Sequence, residues 1–339
     1  MIKTAVIGVG SMGRNHARVY TELADAELVG VADPNQDATS WVAGRYRVPT
    51  YSDYRVLLDQ ERPDAVTIAV PTAMHEEVAT VAMEAGAHVL VEKPIAATIE
   101  EGQRLIEKAR FLGRQLMVGH IVRFSPAIQA LKQALDDGQV GRIFQIVCRR
   151  VGPFPSRIRD VGVVVDLASH DLDVMRFLVR NDPIRVYAET ERLIHTAHED
   201  LMLGLLRFPG GVSGCLEVNW LTPTKVRDVL VVGERGMLRA DDLTQDLFFY
   251  ENAQANGELW APLRQIKGVS EGKMVRYAIK RYEPLKAELQ AFVKAVTSGD
   301  PVPVSGEDGL AALRLALALV ESGKTHRSVD IPSSEQQWA

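Results

Sequence analysis

Over roughly the first 120 residues, short β-branched runs alternate with amphipathic stretches of about a dozen residues. The runs are Thr4 to Gly8, Glu27 to Asp33, Asp64 to Val70, His88 to Glu92 and Gln115 to Gly119, with a weaker one at Thr50 and Tyr51. Between them, His75 to Ala85 and Ile99 to Phe111 repeat alanine, leucine and valine at three- and four-residue spacing, which predicts helices. Strands that alternate with helices predict βαβ units and a parallel sheet.

After His120 the rhythm changes. A helix is predicted from Pro126 to Asp136, closed by Gly138, then a strand from Arg142 to Val151 and an apolar helix from Val165 to Val179. Further strands at Arg185 to Glu191, Leu201 to Phe208, Val212 to Trp220, Val226 to Val232 and Asp246 to Tyr250 follow without helices between them. Turns such as Phe208-Pro209-Gly210-Gly211 join them, which predicts a mainly antiparallel sheet. Pro284 to Val296 and Gly309 to Ser322 read as helices near the domain junction. The expected fold is an α/β Rossmann domain with a parallel sheet over residues 1–120, followed over 121–339 by an α+β domain for substrate binding and oligomerisation.

A length of 339 residues suits two cores, so composition leaves this picture intact. The formal net charge of -5 and the lack of a basic run argue against nucleic acid or an anionic membrane surface as a partner. The opening MIKTAVIGVG has neither a signal-peptide cleavage site nor the ~20 apolar residues of a membrane span, so a cytoplasmic protein is expected. Cys148 and Cys215 each lie in an apolar run with no second thiol at ligand spacing, as reduced core residues do.

The chemistry begins at Gly8-Val9-Gly10-Ser11-Met12-Gly13, which follows the first strand and opens a helix, and at Asp33, which ends the second strand 20 residues after Gly13. Strand, glycine turn, helix and distant carboxylate together make a dinucleotide-binding fingerprint. The glycines permit a tight turn and close approach to a pyrophosphate, and the free N–H groups of the helix start favour its charge. Asp33 is placed to accept from the adenosine ribose hydroxyls. Pro34-Asn35-Gln36-Asp37 offers no cation for a 2'-phosphate, which favours NAD over NADP.

Three further signals follow in order: Pro71-Thr72-Ala73-Met74-His75, then Glu92-Lys93-Pro94, then Asp166 with His170 on a later helix. In that order the chain resembles, over essentially its whole length, the glucose-fructose oxidoreductase and inositol dehydrogenase (Gfo/Idh/MocA) family. The resemblance implies that Lys93 sits beside nicotinamide and substrate, with the Asp166/His170 helix facing it from the second domain. It also places Pro71, Thr72, His75 and Glu92 near the cofactor. Gly119-His120-Ile121-Val122-Arg123-Phe124 and the segment from Gly152 to Asp160 are most similar to members that oxidise C3 of UDP-N-acetylglucosamine.

Oxidation of a sugar hydroxyl needs a base for the hydroxyl proton, and a neutral imidazole suits that work near neutral pH. His170 is the candidate base, and Asp166, one helical turn earlier, can orient it. Lys93 would hydrogen-bond the same oxygen and stabilise the alkoxide, or itself take the proton. Arg123, Arg157 and Arg159 are candidate substrate contacts, the last two as a clamp on a diphosphate. Only one of the adjacent strand residues Arg149 and Arg150 can point into a site. No metal is expected, because Asp166 and His170 lack a third ligand and His195 with His198 falls in a polar loop. A free sugar, inositol or other polyol would need the same catalytic set without the clamp, and a non-catalytic NAD-binding sensor would not need the set at all. A sheet covered by helices on one face only also predicts a homodimer or homotetramer, since the family commonly uses that sheet as its interface.

Overall fold

In a computed structural model of the chain, which describes residues 1–155, 161–194, 197–254 and 269–332, the alternating pattern becomes a six-stranded parallel sheet. Its strands are β1 (Ile2–Ile7), β2 (Ala26–Ala32), β3 (Thr50–Tyr51), β4 (Ala65–Ile68), β5 (His88–Glu92) and β6 (Leu116–Gly119), in the order β3-β2-β1-β4-β5-β6. The accompanying helices are α1 (Ser11–Glu22), α2 (Gln36–Tyr46), α3 (Tyr54–Glu61), α4 (His75–Glu84) and α5 (Ile99–Leu112). Every residue of β4 is buried, as expected when helices cover both faces of a parallel sheet. Strand order reverses between β1 and β4, and such a switch point opens a crevice at the carboxyl ends of the strands.

The second sheet has nine strands among the described residues. After α6 (Pro126–Asp136) come β7 (Ile143–Pro153), a π-helical segment Val164–Ala168 that runs into α7 (Ser169–Val179), and β8 (Arg185–Glu191). Then follow β9 (Leu201–Arg207), β10 (Ser213–Asn219), β11 (Leu221–Gly233), β12 (Gly236–Asp241), β13 (Asp246–Gln254) and β14 (Val269–Arg276). The chain closes with α8 (Pro284–Ser298), α9 (Gly306–Thr325) and β15 (Val329–Asp330). The order is β14-β13-β12-β11-β7-β10-β9-β8-β15, antiparallel throughout except where β10 runs parallel to β7. Its pleat sorts side chains strictly. Met202, Gly204 and Leu206 of β9 are buried on the helix-covered side, while Leu203 and Leu205 stand 52% and 57% exposed on the other.

The chain divides into one unit of Met1–Phe124 with Tyr282–Arg314 and another of Ser125–Arg281 with Leu315–Ala339. The first unit is discontinuous: residues 282–314 join it from the far side of the second. Helix α8 lies against α1, with Arg18 bound to Glu283 and Lys286 3.7 Å from Glu22, and Met117 on β6 bridges to Ser305. An amphipathic face announces that it will be buried, not against which partner. No helix among the described residues is long and apolar enough to cross a membrane.

Candidate functional site

In the first unit the switch-point crevice is a cavity of about 490 Å³ lined by Gly8, Gly10, Asp33, Pro34, Ser52, Tyr54, Val70, Pro71 and Met74, among others. The chain turns into it at Gly8, whose φ of +86° lies in the left-handed region that glycine tolerates. A Cβ on Gly13 would lie 1.8 Å from the Gly8 carbonyl oxygen, so only glycine lets α1 start this close to the turn. Gly10, by contrast, has nothing within 4 Å of where a Cβ would be, and leaves the backbone open to a ligand. Gly10 also caps α1 without a side chain, and the first turn carries no acidic residue, so the free N–H groups beside Ser11, Met12 and Gly13 remain available to an anion.

Asp33 stiffens this turn. One carboxylate oxygen accepts from the Val9 amide at 2.8 Å and the other from the Asn35 amide at 2.8 Å. Each oxygen keeps a further lone pair for a ribose hydroxyl. The donors, the open glycine and the half-exposed carboxylate around one cavity fit a dinucleotide. Asp33→Ala is expected to raise the Michaelis constant for NAD by at least about tenfold, since hydrogen bonds to a charged group are worth roughly 1.5–3 kcal/mol. An unchanged constant in initial-rate measurements would remove Asp33 from this role. Sequence reasoning missed Ser52, Tyr54 and Met74; the first two follow the two-residue β3, too short a strand to announce a loop of interest.

Glu92 and His75, both expected near the cofactor, also make hydrogen bonds within the first unit. Glu92, at the end of β5, has its carboxylate bound by His16 Nε2 at 2.7 Å and by the Lys93 amide at 3.2 Å. Burial pushes its carboxyl up, but the His16 hydrogen bond and the charges of His16 and Lys93 outweigh this and hold it below the usual carboxylate range. The ring of His75, 1% exposed, reaches the Pro94 carbonyl through Nδ1 at 2.8 Å and the Val70 carbonyl through Nε2 at 3.0 Å. It supports the cofactor loop from beneath, and burial holds its imidazole below the ordinary range. Pro71 lines the cavity, Thr72 begins a short 3-10 turn beside it, and Lys93 is half-buried directly after Glu92.

The guanidinium of Arg123, a candidate substrate contact, is buried, 3.1 Å from Asp308 and 3.4 Å from the Pro303 carbonyl. Arg157, Arg159 and His195 lie outside the described residues.

In the second unit Asp166 sits in the π-helical segment and His170 in the first turn of α7. Asp166 and His170 are partly exposed, as are Val165 and Leu167, while Ala168, Ser169 and Asp171 are buried. A wide π turn inside an α-helix is a recurrent feature of functional sites. The start of the segment is anchored by Glu199, whose carbonyl accepts from Val163 N at 2.9 Å and whose carboxylate accepts from Val164 N at 3.2 Å.

Beneath His170, Asp171 and Arg150 form a buried bidentate pair with three contacts of 2.9–3.0 Å. Burial pushes the Asp171 carboxyl up and Arg150 opposes it. Arg150 points inward from β7 while Arg149 points out to Glu217 at 2.9 Å, so the strand alternation holds, but the inward arginine serves the helix. Arg227 on β11 lies directly opposite Arg150 in register, and burial holds its guanidinium below the usual range.

Residues 2–120 match the family model described as an oxidoreductase family with an NAD-binding Rossmann fold, and residues 128–239 match the GFO/IDH/MocA C-terminal domain. The chain is 30% identical over 316 residues to the UDP-N-acetylglucosamine 3-dehydrogenase of Acidithiobacillus ferrooxidans, covering 93% of this chain and 95% of that protein. It is also 30% identical over 343 residues to an inositol 2-dehydrogenase of Rhizobium meliloti, covering 97% and 99%. A solved structure of the Acidithiobacillus enzyme superposes with a TM-score of 0.84 at 31% identity, covering 96% of this chain and 98% of that one.

Proposed function

Because the chain belongs to the GFO/IDH/MocA oxidoreductase family, we propose that it oxidises a secondary alcohol of a sugar to a ketone, the C3 hydroxyl of UDP-N-acetylglucosamine in the first instance. The observation that carries this reading is that Asp166 and His170 lie four residues apart on one partly exposed helical stretch, in a chain whose other unit holds a dinucleotide cavity and, directly after β5, the half-buried Lys93.

NAD, when bound, supplies the acceptor for the two electrons and the hydrogen that leave the carbinol carbon. His170 takes the hydroxyl proton, a task for which a near-neutral base is effective. Asp166 orients the imidazole, and Lys93 donates to the same oxygen and steadies its developing negative charge. Arg157 and Arg159 grip the diphosphate through their planar donor forks. A free polyol is the second reading, favoured by the inositol 2-dehydrogenase relative of equal identity.

The test is NADH formation with NAD and UDP-N-acetylglucosamine, free N-acetylglucosamine, glucose and myo-inositol as parallel substrates, each with a ketone trap. Turnover of the UDP sugar alone supports the first reading, and identification of the keto carbon fixes the position. Turnover of a free polyol alone overturns the nucleotide-sugar assignment and keeps the chemistry. Silence with all four, in protein that binds NADH, overturns both.

The uncovered face of the second sheet serves self-association in this reading. Tyr187, Leu205, Cys215, Val147 and Leu230 lie side by side in register across five adjacent strands of that face. Light scattering is expected to give a dimer or tetramer for the native chain and a smaller species for Leu203→Glu/Leu205→Glu; a wild-type monomer would remove the sheet from this role.

A further inference from the structure

Two buried histidines of the first unit hold the residues on either side of Lys93. Glu92, immediately before it, is held by His16; Pro94, immediately after it, is held by His75. The two histidines come from different helices, α1 and α4, and each of those helices begins at a loop that lines the cofactor cavity, at Gly10 and at Pro71. Both rings are almost fully buried, His16 at 0% and His75 at 1% exposure.

The Glu92 carboxylate has no room to go elsewhere. A Cβ on Gly119, its neighbour in register on β6, would lie 3.2 Å from the carboxylate, so the strand leaves just the space the side chain needs. A buried carboxylate without partners is costly, and its two oxygens are met by His16 and by the Lys93 amide. His16 has no second bond to share its allegiance, because its Nδ1 is buried without a partner. Fully buried and with one ring nitrogen unsatisfied, His16 makes its side-chain hydrogen bond to Glu92 through the other.

We propose that His16 and Glu92 form a positioning pair that fixes the peptide leading into Lys93 and so sets where the lysine ammonium stands. His75 holds the following peptide from the other side. The inference rests on Lys93 acting on the substrate oxygen as proposed above. Lysine is a flexible four-carbon stem whose reach is only as well defined as the backbone that carries it. A displacement of about 1 Å at a reacting group can cost on the order of a hundredfold in rate. The carboxylate of Asp33 is held by the Val9 and Asn35 amides and not by the pair, so its part in cofactor affinity is separable from lysine placement.

The test compares His16→Leu, which removes the donor, with His16→Gln, whose amide nitrogen can replace Nε2, in the full-length protein. With a substrate the wild type oxidises, His16→Leu is expected to lower kcat by about thirtyfold or more, and His16→Gln to stay within about threefold of wild type. The NADH dissociation constant, read by fluorescence titration, stays within about threefold in both. A second readout needs no turnover. The rate at which acetic anhydride modifies Lys93, followed by mass spectrometry on protein without cofactor, is expected to change by at least about threefold in His16→Leu and to return in His16→Gln. Should His16→Leu not fold, His16→Asn replaces it, since its shorter amide stops short of Glu92. Equal labelling of Lys93 in all variants, or a glutamine variant as impaired as the leucine variant, overturns the pair. If the wild type oxidises none of the alcohols while the labelling still separates leucine from glutamine, the proposed reaction has failed and the positioning pair stands.

Discussion

Lys93→Met is expected to abolish NADH formation to within about a thousandth of the wild-type kcat while NADH still binds within about threefold of its original affinity. Methionine keeps an unbranched apolar stem of similar length, so packing at the end of β5 is preserved and only the charged donor is lost. The loss falls on the transition state because negative charge builds on the substrate oxygen only as its proton and the carbon-bound hydrogen leave. A group that stabilises that charge shows in kcat and kcat/KM together, with little change in ground-state binding. The fluorescence titration is the control, since the donors that hold a dinucleotide are the α1 amides and Asp33, distant in sequence from Lys93. A variant that retains a tenth of the rate, by the same reckoning, would assign Lys93 to structure and leave His170 to carry the proton alone.

The second large effect is on stability. Arg150→Met leaves the Asp171 carboxylate buried without its bidentate partner, and breaking a buried pair from one side costs roughly 3–5 kcal/mol. For a unit of this size that corresponds to a fall in Tm of about 10 °C or more in thermal unfolding. Replacing both partners by apolar residues, Arg150→Met with Asp171→Leu, should recover most of the loss, because no charge is then stranded.

The pH dependence follows from Asp171. Burial raises its carboxyl pKa in the folded chain, and removal of Arg150 takes away what opposes that shift. A folded pKa above the unfolded one means a stability contribution present below the unfolded value, about 3.9, and lost as pH rises through the folded value. The Tm deficit of Arg150→Met relative to wild type is therefore expected to shrink as pH falls from neutral towards about 4. A deficit that is constant or grows on acidification would mean that Asp171 is not the source of the loss.

Much of the fold could be read from the chain because its local signals agree. The Gly8 to Gly13 turn was legible since close approach leaves no alternative to glycine, and the β5 and β8 bounds match their β-branched runs. Strands β12 and β14 were not foreseen: Gly-Met-Leu-Arg-Ala-Asp has no β-branched residue, and the second is largely polar. Their places are set by pairing with β11 and β13, which is information held elsewhere in the chain. The π turn at Val164–Ala168 was equally hidden, because residues four apart share a side of the helix whether the turn is α or π.

The contacts around the candidate site were less legible. The ion pair of Arg123 was hidden because its partner, Asp308, is 185 residues away in sequence. The motif positions of Glu92 and His75 could be read, but not their bonds to His16 and to the Pro94 and Val70 carbonyls, which come from other stretches of the chain. That Arg149 and Arg150 face opposite ways was legible, but not which of them turns inward, nor that Asp171 on a separate helix holds it.

The discontinuous first unit bears on synthesis as well as architecture. A ribosome releases the Rossmann strands early, yet the carboxylates of Glu283 and Asp308 that meet Arg18 and Arg123 emerge only after nearly the whole of the other unit. Until then the nascent chain carries a buried-arginine site that lacks Asp308 and a β6 edge without the Ser305 strap. Completion of the first unit is thereby deferred until residues 282–314 have been made, and a ribosome stalled before residue 282 should display a cofactor-binding core that is assembled in outline but unsealed.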